Sequence, residues 1–484
     1  MKLIDRLFAA APHLLDYVAG RDNTPSDQLQ PQRNSLRLLL QPLSGSLTHR
    51  SAHGVEAWKL LGMRYFLFDG FFSTASDSFY LTFVPLFALA YNASGGAIGL
   101  MTAAANLVGT IALFPGAKIA EVVGRRRPLI VASGGGVGRV VLIVLVFLPF
   151  LAVSPAAAVV VIIAVNAVRA FTGNLGNPAW TSFTADLVPP VMRARYFGNR
   201  NTMMGVAALV FAPIAGWLIS AGNRAHSMPR LGYQVVFFLA LVLGLASTYC
   251  FNHIPEPARA PAPKQRRRHR SLQSLRLTMR ANRSFMGFVA SAFVWNLALQ
   301  VAGPFFNVYL VTGLGGNDAQ VGIATGVSNL TNLIGLWVFA YLAERRGSYW
   351  VQKVTGFLIP FMPLAWVFAA HPWHIYIINT FSGFLWAGYN LSNFNLLLEY
   401  TPESERTRAV ALFQSVVFGS AVVGPIVGGY LADVASYRLV FLLSAIGRWV
   451  AAFLFVWLVH EIQRGRGAPQ HNRGGDAATE AESA

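Results

Sequence analysis

The sequence predicts an all-α integral membrane protein, twelve transmembrane helices arranged as two pseudo-symmetric six-helix bundles. Three observations carry this. The 484-residue chain is 54% hydrophobic and only 12% charged, against about 25% charged in ordinary soluble domains. Its apolar residues come in runs of about 20 or more, the length that crosses a ~30 Å hydrocarbon core as helix. The second half of the chain also repeats polar positions of the first.

The elements follow in order. Residues 1–57 form a tail in which Asp5, Arg6 and Asp16 interrupt any apolar core, so it is no signal peptide. Leu3, Leu7, Leu14, Leu15 and Val18 suit an interfacial amphipathic helix; a loosely ordered tail is the alternative. The apolar runs are 64–92, 95–115, 128–152, 155–178, 199–221, 232–253, 284–312, 319–341, 349–370, 372–397, 408–432 and 437–460. Six fall in a first bundle, 58–253, and six in a second, 284–461. Between them, 254–283 is a basic, proline-rich cytoplasmic linker, from Pro255 through the Arg266-Arg267-Arg268 cluster, that resists packing into a core. Its later part has Leu272, Leu275 and Met279 at helical spacing. The 462–484 tail is polar and expected to be disordered.

The net charge of +18 is placed asymmetrically. With residue 1 in the cytoplasm, the outward loops hold only Arg224, Arg230 and Arg438. That is the positive-inside pattern, with both termini cytoplasmic. The basic excess is a topology signal and an attraction to anionic headgroups, not a nucleic-acid groove. Cys250 is the single cysteine, which excludes an internal disulfide and a cysteine metal site.

The repeat is specific. Glu121 and Glu344 lie 223 positions apart, and the same offset pairs Gly99 with Gly322, Thr102 with Thr325, Asn106 with Asn329 and Leu107 with Leu330. An offset of 213 pairs Asp186 with Glu399, Asn166 with Asn379 and Asn177 with Asn390. Six helices per half is an even number, so both halves enter the membrane in the same sense and are related by an axis along its normal.

Ionisable groups inside apolar runs cost about 2.5–3.5 kcal/mol each on insertion scales, so they mark function. The first run carries Asp69, Ser73, Asp77 and Tyr80 on one helical face. At the 223 offset, Ser73 maps to Asn296 and Asp77 to Gln300, and Asn307 continues that face. Thr102 and Asn106 in the second run are matched by Thr325 and Asn329 in the eighth; Asn166 and Arg169 lie in the fourth, Asn379 and Trp386 in the tenth. A polar stripe on matched helices is how a water-filled cavity reads in sequence. Trp295, Trp386 and Tyr389 leave a drug, a sugar or an aromatic metabolite open as substrate. Arg139 and Arg448 are expected to be structural. Gly134-Gly-Gly-Val-Gly138 is helix packing rather than a phosphate loop: no strand precedes it and no Gly-Lys-Ser/Thr follows. His371 and His374 have metal-like spacing but no third ligand near. No cofactor, no metal and no enzymatic constellation is expected.

Ala117-Lys-Ile-Ala-Glu-Val-Val-Gly-Arg-Arg126 resembles the loop signature of the major facilitator superfamily, matching at Ala120, Gly124, Arg125 and Arg126. Ala117, Ile119 and Glu121 replace its Gly, Leu and Asp. The second copy keeps Leu342, Ala343 and Glu344, with Arg346-Gly347 displaced in register. The resemblance covers roughly residues 62–460. It implies a secondary transporter of a small molecule in a bacterial inner membrane, working by alternating access, with no ATPase and as a monomer. It further implies a gate in which Glu121 meets the start of the eleventh helix and Glu344 the start of the fifth. Arg125, Arg126, Arg345 and Arg346 would tether those acids and Asp186 or Glu399; plain topological arginines are the alternative. Arg169-Ala-Phe-Thr-Gly173 resembles an element of proton-coupled members. It implies that Asp77 and Arg169 couple a proton, with Asp69 as the alternative carrier; a static buried ion pair is the other reading. Ala212-Pro-Ile-Ala-Gly216 and the fuller Gly424-Pro-Ile-Val-Gly-Gly429 read as kinked packing seams. An uncoupled facilitator or a ligand-sensing member of the same fold is the rival function.

Overall fold

The computed structural model describes residues 57–123, 125–224, 230–256, 283–401 and 406–459. The expectations for the N-terminal tail, most of the linker and the C-terminal tail fall outside these residues. The described residues contain twelve spans and no strand. They are α1 (Ala57–Tyr80, resumed at Val84–Leu89), α2 (Gly95–Val123), α3 (Arg127–Phe150), α4 (Pro155–Leu187), α5 (Pro190–Arg224) and α6 (Leu231–Asn252) in the first bundle. The second holds α7 (Arg283–Ala302, continuing to Thr312), α8 (Asp318–Arg346), α9 (Ser348–Leu358, resumed at Phe361–Phe368), α10 (Pro372–Glu399), α11 (Arg406–Val434) and α12 (Tyr437–Leu458).

Ten of these are long and apolar enough to cross a membrane. The other two, α1 and α10, are diluted by charges and amides, including Asp69 and Asp77 on one and Asn379, Asn390 and Asn393 on the other. Both are still inner members of their bundles: α1 packs on α5 and α6, and α10 on α8 and α9.

Local chemistry sets the ends and bends. Ser154 caps α4 by accepting the Ala157 N–H, Asn317 and Gln320 form a reciprocal capping box on α8, and Ser436 caps α12. The two ring-bearing residues His371 and His374 do the same for α10, which accounts for their spacing. Pro85 follows the break in α1, and Pro360 sits at the break in α9. In α3 the glycines 134–136 lie in a π-helical stretch, Val131–Val137. One carbonyl there, that of Gly135, accepts the Thr248 hydroxyl of α6.

The two bundles mirror each other. Each has an apolar interior rich in aromatic rings, and side chains such as Phe114, Trp337 and Trp457 turn outward, as they must when lipid rather than water surrounds the helices. The bundles meet through two seams, α2 on α11 and α5 on α8. Gly99 lies against the Pro425 carbonyl and Gly429, and Gly322 against the Ala212 carbonyl and Gly216. These are the same contacts at the offsets read from the sequence. A Cβ at either glycine would strike backbone, so the predicted glycine seams hold.

One boundary moves. The expected linker begins at 254, but Ile254 is fully buried in the first bundle, and both Glu256 carboxylate oxygens accept backbone N–H groups, of Arg126 and Arg127, at the start of α3. A carboxylate at a helix N-terminus is favoured by the exposed N–H groups and the dipole, so the first bundle is fastened through Glu256.

Candidate functional site

A cavity of about 400 Å³ opens between α1, α2 and α4, with Phe418 of α11 on its far wall. Asp77, Tyr80, Asn106, Asn166 and Arg169, all expected from the sequence, line it, together with Thr102, Thr110 and Asn174. Asp77 is placed one turn before the break in α1, its backbone carbonyl accepting the Leu81 N–H.

The centre of the site is one carboxylate oxygen held by two guanidiniums. Arg169 donates to Asp77 Oδ1 at 2.5 Å, and Arg139 donates to the same oxygen at 3.0 Å. Arg139 also donates to the Ser73 and Ser76 hydroxyls. It reaches this position because it follows the π-helical stretch of α3 and because Gly244 of α6 leaves room for its side chain. The Arg169 guanidinium lies 4.3 Å over the Tyr80 ring, and Tyr80 donates its hydroxyl proton to Asn166. Ser73 therefore stands one step behind the cavity, attached to Arg139. Arg139 is the residue sequence reasoning undervalued. A charge in the middle of an apolar run was the available signal, but nothing in the sequence placed it beside Asp77.

Asp69 lies elsewhere. It is buried, accepts the Ser247 hydroxyl at 2.6 Å and sits 3.7 Å from Arg200. Arg200 in turn covers the Phe66 ring. The shared helical face with Asp77 is real, but α5 and α6 enclose Asp69 while Asp77 reaches the cavity, so the two expected proton carriers occupy separate clusters.

The second bundle carries no matching ion cluster among the described residues. Asn296 and Asn379 donate to the Ala292 and Ala324 carbonyls. Gln300 packs at Gly424 of α11, and Asn307 and Asn329 are half-buried. Trp386 joins an aromatic group in which Trp295 stacks on Tyr389 at 4.3 Å. Arg448 is fully buried there, and its Nε and Nη2 have no partner among the described residues.

At the end of the molecule where α2 and α8 begin, the bundles are joined across both seams. Asp433 of α11 accepts the Gly95 and Gly96 N–H groups, each at 2.7 Å. At the corresponding offset, Ser220 of α5 accepts the Ala319 N–H at 2.9 Å. Tyr233 donates to Asp318 across the same end, and midway along the helices Asn106 donates to the Ala421 carbonyl.

At the opposite end, several loop residues contact groups of their own bundle. Arg126 pairs with Asp186 at 2.6 Å and donates to Ser182. Arg345 covers the Tyr341 ring and Arg346 the Trp350 ring. Glu121, Arg125, Glu344 and Glu399 are exposed.

A family model, the Major Facilitator Superfamily, matches residues 66–390 and 297–481, most of the chain. The chain belongs to this superfamily. Among curated proteins it is 24% identical over 246 residues to a candidate sugar efflux transporter of Deinococcus radiodurans. That stretch is 50% of this chain, and the chain spans about three-fifths, 61%, of the relative's length. Solved superfamily structures share the fold. A bacterial homologue of the iron transporter ferroportin in an inward-facing state matches with a TM-score of 0.65 at 14% identity, over 82% of this chain and 98% of its own. The nucleoside transporter NupG matches at 0.61 and 15%, over 83% and 99%. The xylose transporter XylE from E. coli, inward open, matches at 0.61 and 14%, over 84% and 97%. The chain is thus a multi-pass membrane protein of a transporter superfamily rather than an enzyme.

Proposed function

We propose that this superfamily member is a secondary active transporter that carries a small molecule by alternating access, with proton coupling at Asp77. The observation that carries the reading is the half-used carboxylate. Asp77 Oδ1 is bound by Arg139 and Arg169, while Oδ2 has no hydrogen-bond partner among the described residues and Asp77 faces the cavity. A proton or a substrate donor can take Oδ2, and movement of Arg169 would leave Arg139 as the remaining guanidinium on the carboxylate.

The seams supply the motion. The two bundles are fastened at the Asp433 end. This favours a state open at the Glu121 end, which the Lys/Arg pattern makes cytoplasmic, with both termini on that side of a bacterial inner membrane. Glu121 and Glu344, supported by Arg125, Arg126, Arg345, Arg346, Asp186 and Glu399, would then close that end in the other state, by capping the starts of α11 and α5. The protein acts as a monomer in this reading.

The rival reading, an uncoupled facilitator, is favoured by the same double clamp, since two guanidiniums suit a permanently ionised, static Asp77. Proteoliposomes separate the two. With a pH gradient imposed, wild type should accumulate substrate and Asp77→Asn should only exchange it; accumulation by Asp77→Asn would favour the facilitator.

A further inference from the structure

We propose that the molecule taken by the central cavity is a hydroxyl-rich acid whose carboxylate or phosphate docks on Arg169. This rests on the transport reading and names its substrate class. Deep within the helices, two carboxylates, Asp69 and Asp77, stand against four guanidiniums, Arg139, Arg169, Arg200 and Arg448. Arg200 is the neighbour of Asp69, and Arg448 is isolated in the second bundle. Arg139 and Arg169 share the single charge of Asp77, which leaves the cavity cluster one positive charge in excess. Unbalanced charge away from water is costly, and the usual remedy is a counter-charge with hydrogen bonds.

Of the four guanidiniums only Arg169 lines the cavity. Arg139 is held behind Asp77 by Ser73 and Ser76, and Arg200 is folded over Phe66. The Nη groups of Arg169 reach Asp77 and the Gly138 carbonyl, while its Nε–H has no acceptor among the described residues. An entering carboxylate or phosphate can take that N–H and the face Arg169 now turns to Asp77, while Asp77 stays on Arg139. Guanidinium is suited to such planar, two-pronged binding.

The remaining wall specifies the rest of the ligand. Asn106 and Asn174 each donate one amide N–H to a carbonyl, of Ala421 and Ala170, and keep the second. Their side-chain oxygens, with Asp77 Oδ2, remain as acceptors facing a cavity of about 400 Å³. Acceptors call for hydroxyl donors, and the volume lies within the range of small-molecule sites. A sugar acid or sugar phosphate has both features.

The test is binding to purified full-length protein of three ligands sharing one ring: D-glucose, D-glucuronate and D-glucose 6-phosphate. At least one acid should bind about tenfold or more tightly than glucose, a difference of about 1.4 kcal/mol. The better acid tells carboxylate from phosphate. Arg169→Gln should erase the preference and Arg169→Lys should keep part of it; if Arg169→Gln does not fold, the wild-type comparison and the lysine variant still decide. Glucose binding as tightly as both acids, no binding of either acid at millimolar concentration, or a preference that survives in Arg169→Gln would overturn the proposal. Glucose moved into liposomes without acid preference would leave transport standing and sink this inference. An acid that binds but is never moved would do the reverse.

Discussion

The two bundles share one architecture and differ in what they bury. In the first, Asp77 holds Arg139 and Arg169, and Asp69 lies beside Arg200 and accepts from Ser247. In the second, Gln300 stands at the position matched to Asp77 and Ser382 at that matched to Arg169, Trp295 stacks on Tyr389, and the buried Arg448 lacks an acidic partner among the described residues. Duplication therefore preserved the helix seams, which packing demands at both sites, while the charges diverged. The seams hold the bundles together, and among the described residues the charge difference places a carboxylate at the cavity from the first bundle alone.

The largest expected effect follows from that difference. Asp77→Asn should lose gradient-driven accumulation outright yet keep counterflow, because the amide mimics the protonated acid and retains an acceptor for Arg139. Gln300→Leu, at the matched position, should keep accumulation and weaken apparent affinity only by the worth of a hydrogen bond, about 0.5–1.5 kcal/mol. Radiolabel uptake into proteoliposomes reads both. Equal loss in the two variants would erase the asymmetry.

Stability should respond with opposite signs. Asp69→Leu strands Arg200 and should destabilise by about 3–5 kcal/mol, whereas Arg448→Met removes an unpaired buried charge and should be neutral or stabilising by about 1–4 kcal/mol. Thermal unfolding in detergent checks the pair. A destabilised Arg448→Met would reveal an anion held in the second bundle.

The closed end offers a finer contrast. Asp433→Ala removes two charge-assisted bonds, each about 1.5–3 kcal/mol, while Ser220→Ala removes one neutral bond of about 0.5–1.5 kcal/mol. Cysteine labelling of cavity positions from the Asp433 side should rise more for Asp433→Ala. Equal labelling would mean that glycine packing alone closes this end.

Smallest are Glu121→Gln and Glu344→Gln. A helix-end charge contact contributes about 0.3–2 kcal/mol, so accessibility from the Glu121 side should rise only partly in each. Unchanged labelling in folded protein would reduce these loops to topology signals.

Much of this was legible in the sequence because its causes are local or periodic. Run length gave the spans, the Glu121–Glu344 spacing gave the two bundles, and an i, i+3 spacing placed Asp77 and Tyr80 on the face that lines the cavity. What was not legible depends on tertiary placement. Arg139 meets Asp77 only because a π-helical stretch and Gly244 admit it. Asp69 shares the face of Asp77 but is enclosed by α5 and α6. Glu256 reads as linker until it is seen on the N-terminus of α3, and Asp433 reads as a loop acid until it caps α2.

The most direct test of a coupling site confined to the first bundle is substrate-driven proton movement. Protein in proteoliposomes containing a pH-sensitive dye would be given D-glucose, D-glucuronate and D-glucose 6-phosphate in turn. Wild type should move protons with the ligand it transports, and Asp77→Asn should transport that ligand by exchange with no proton signal. An undiminished proton signal in Asp77→Asn would contradict the assignment and return the role to Asp69.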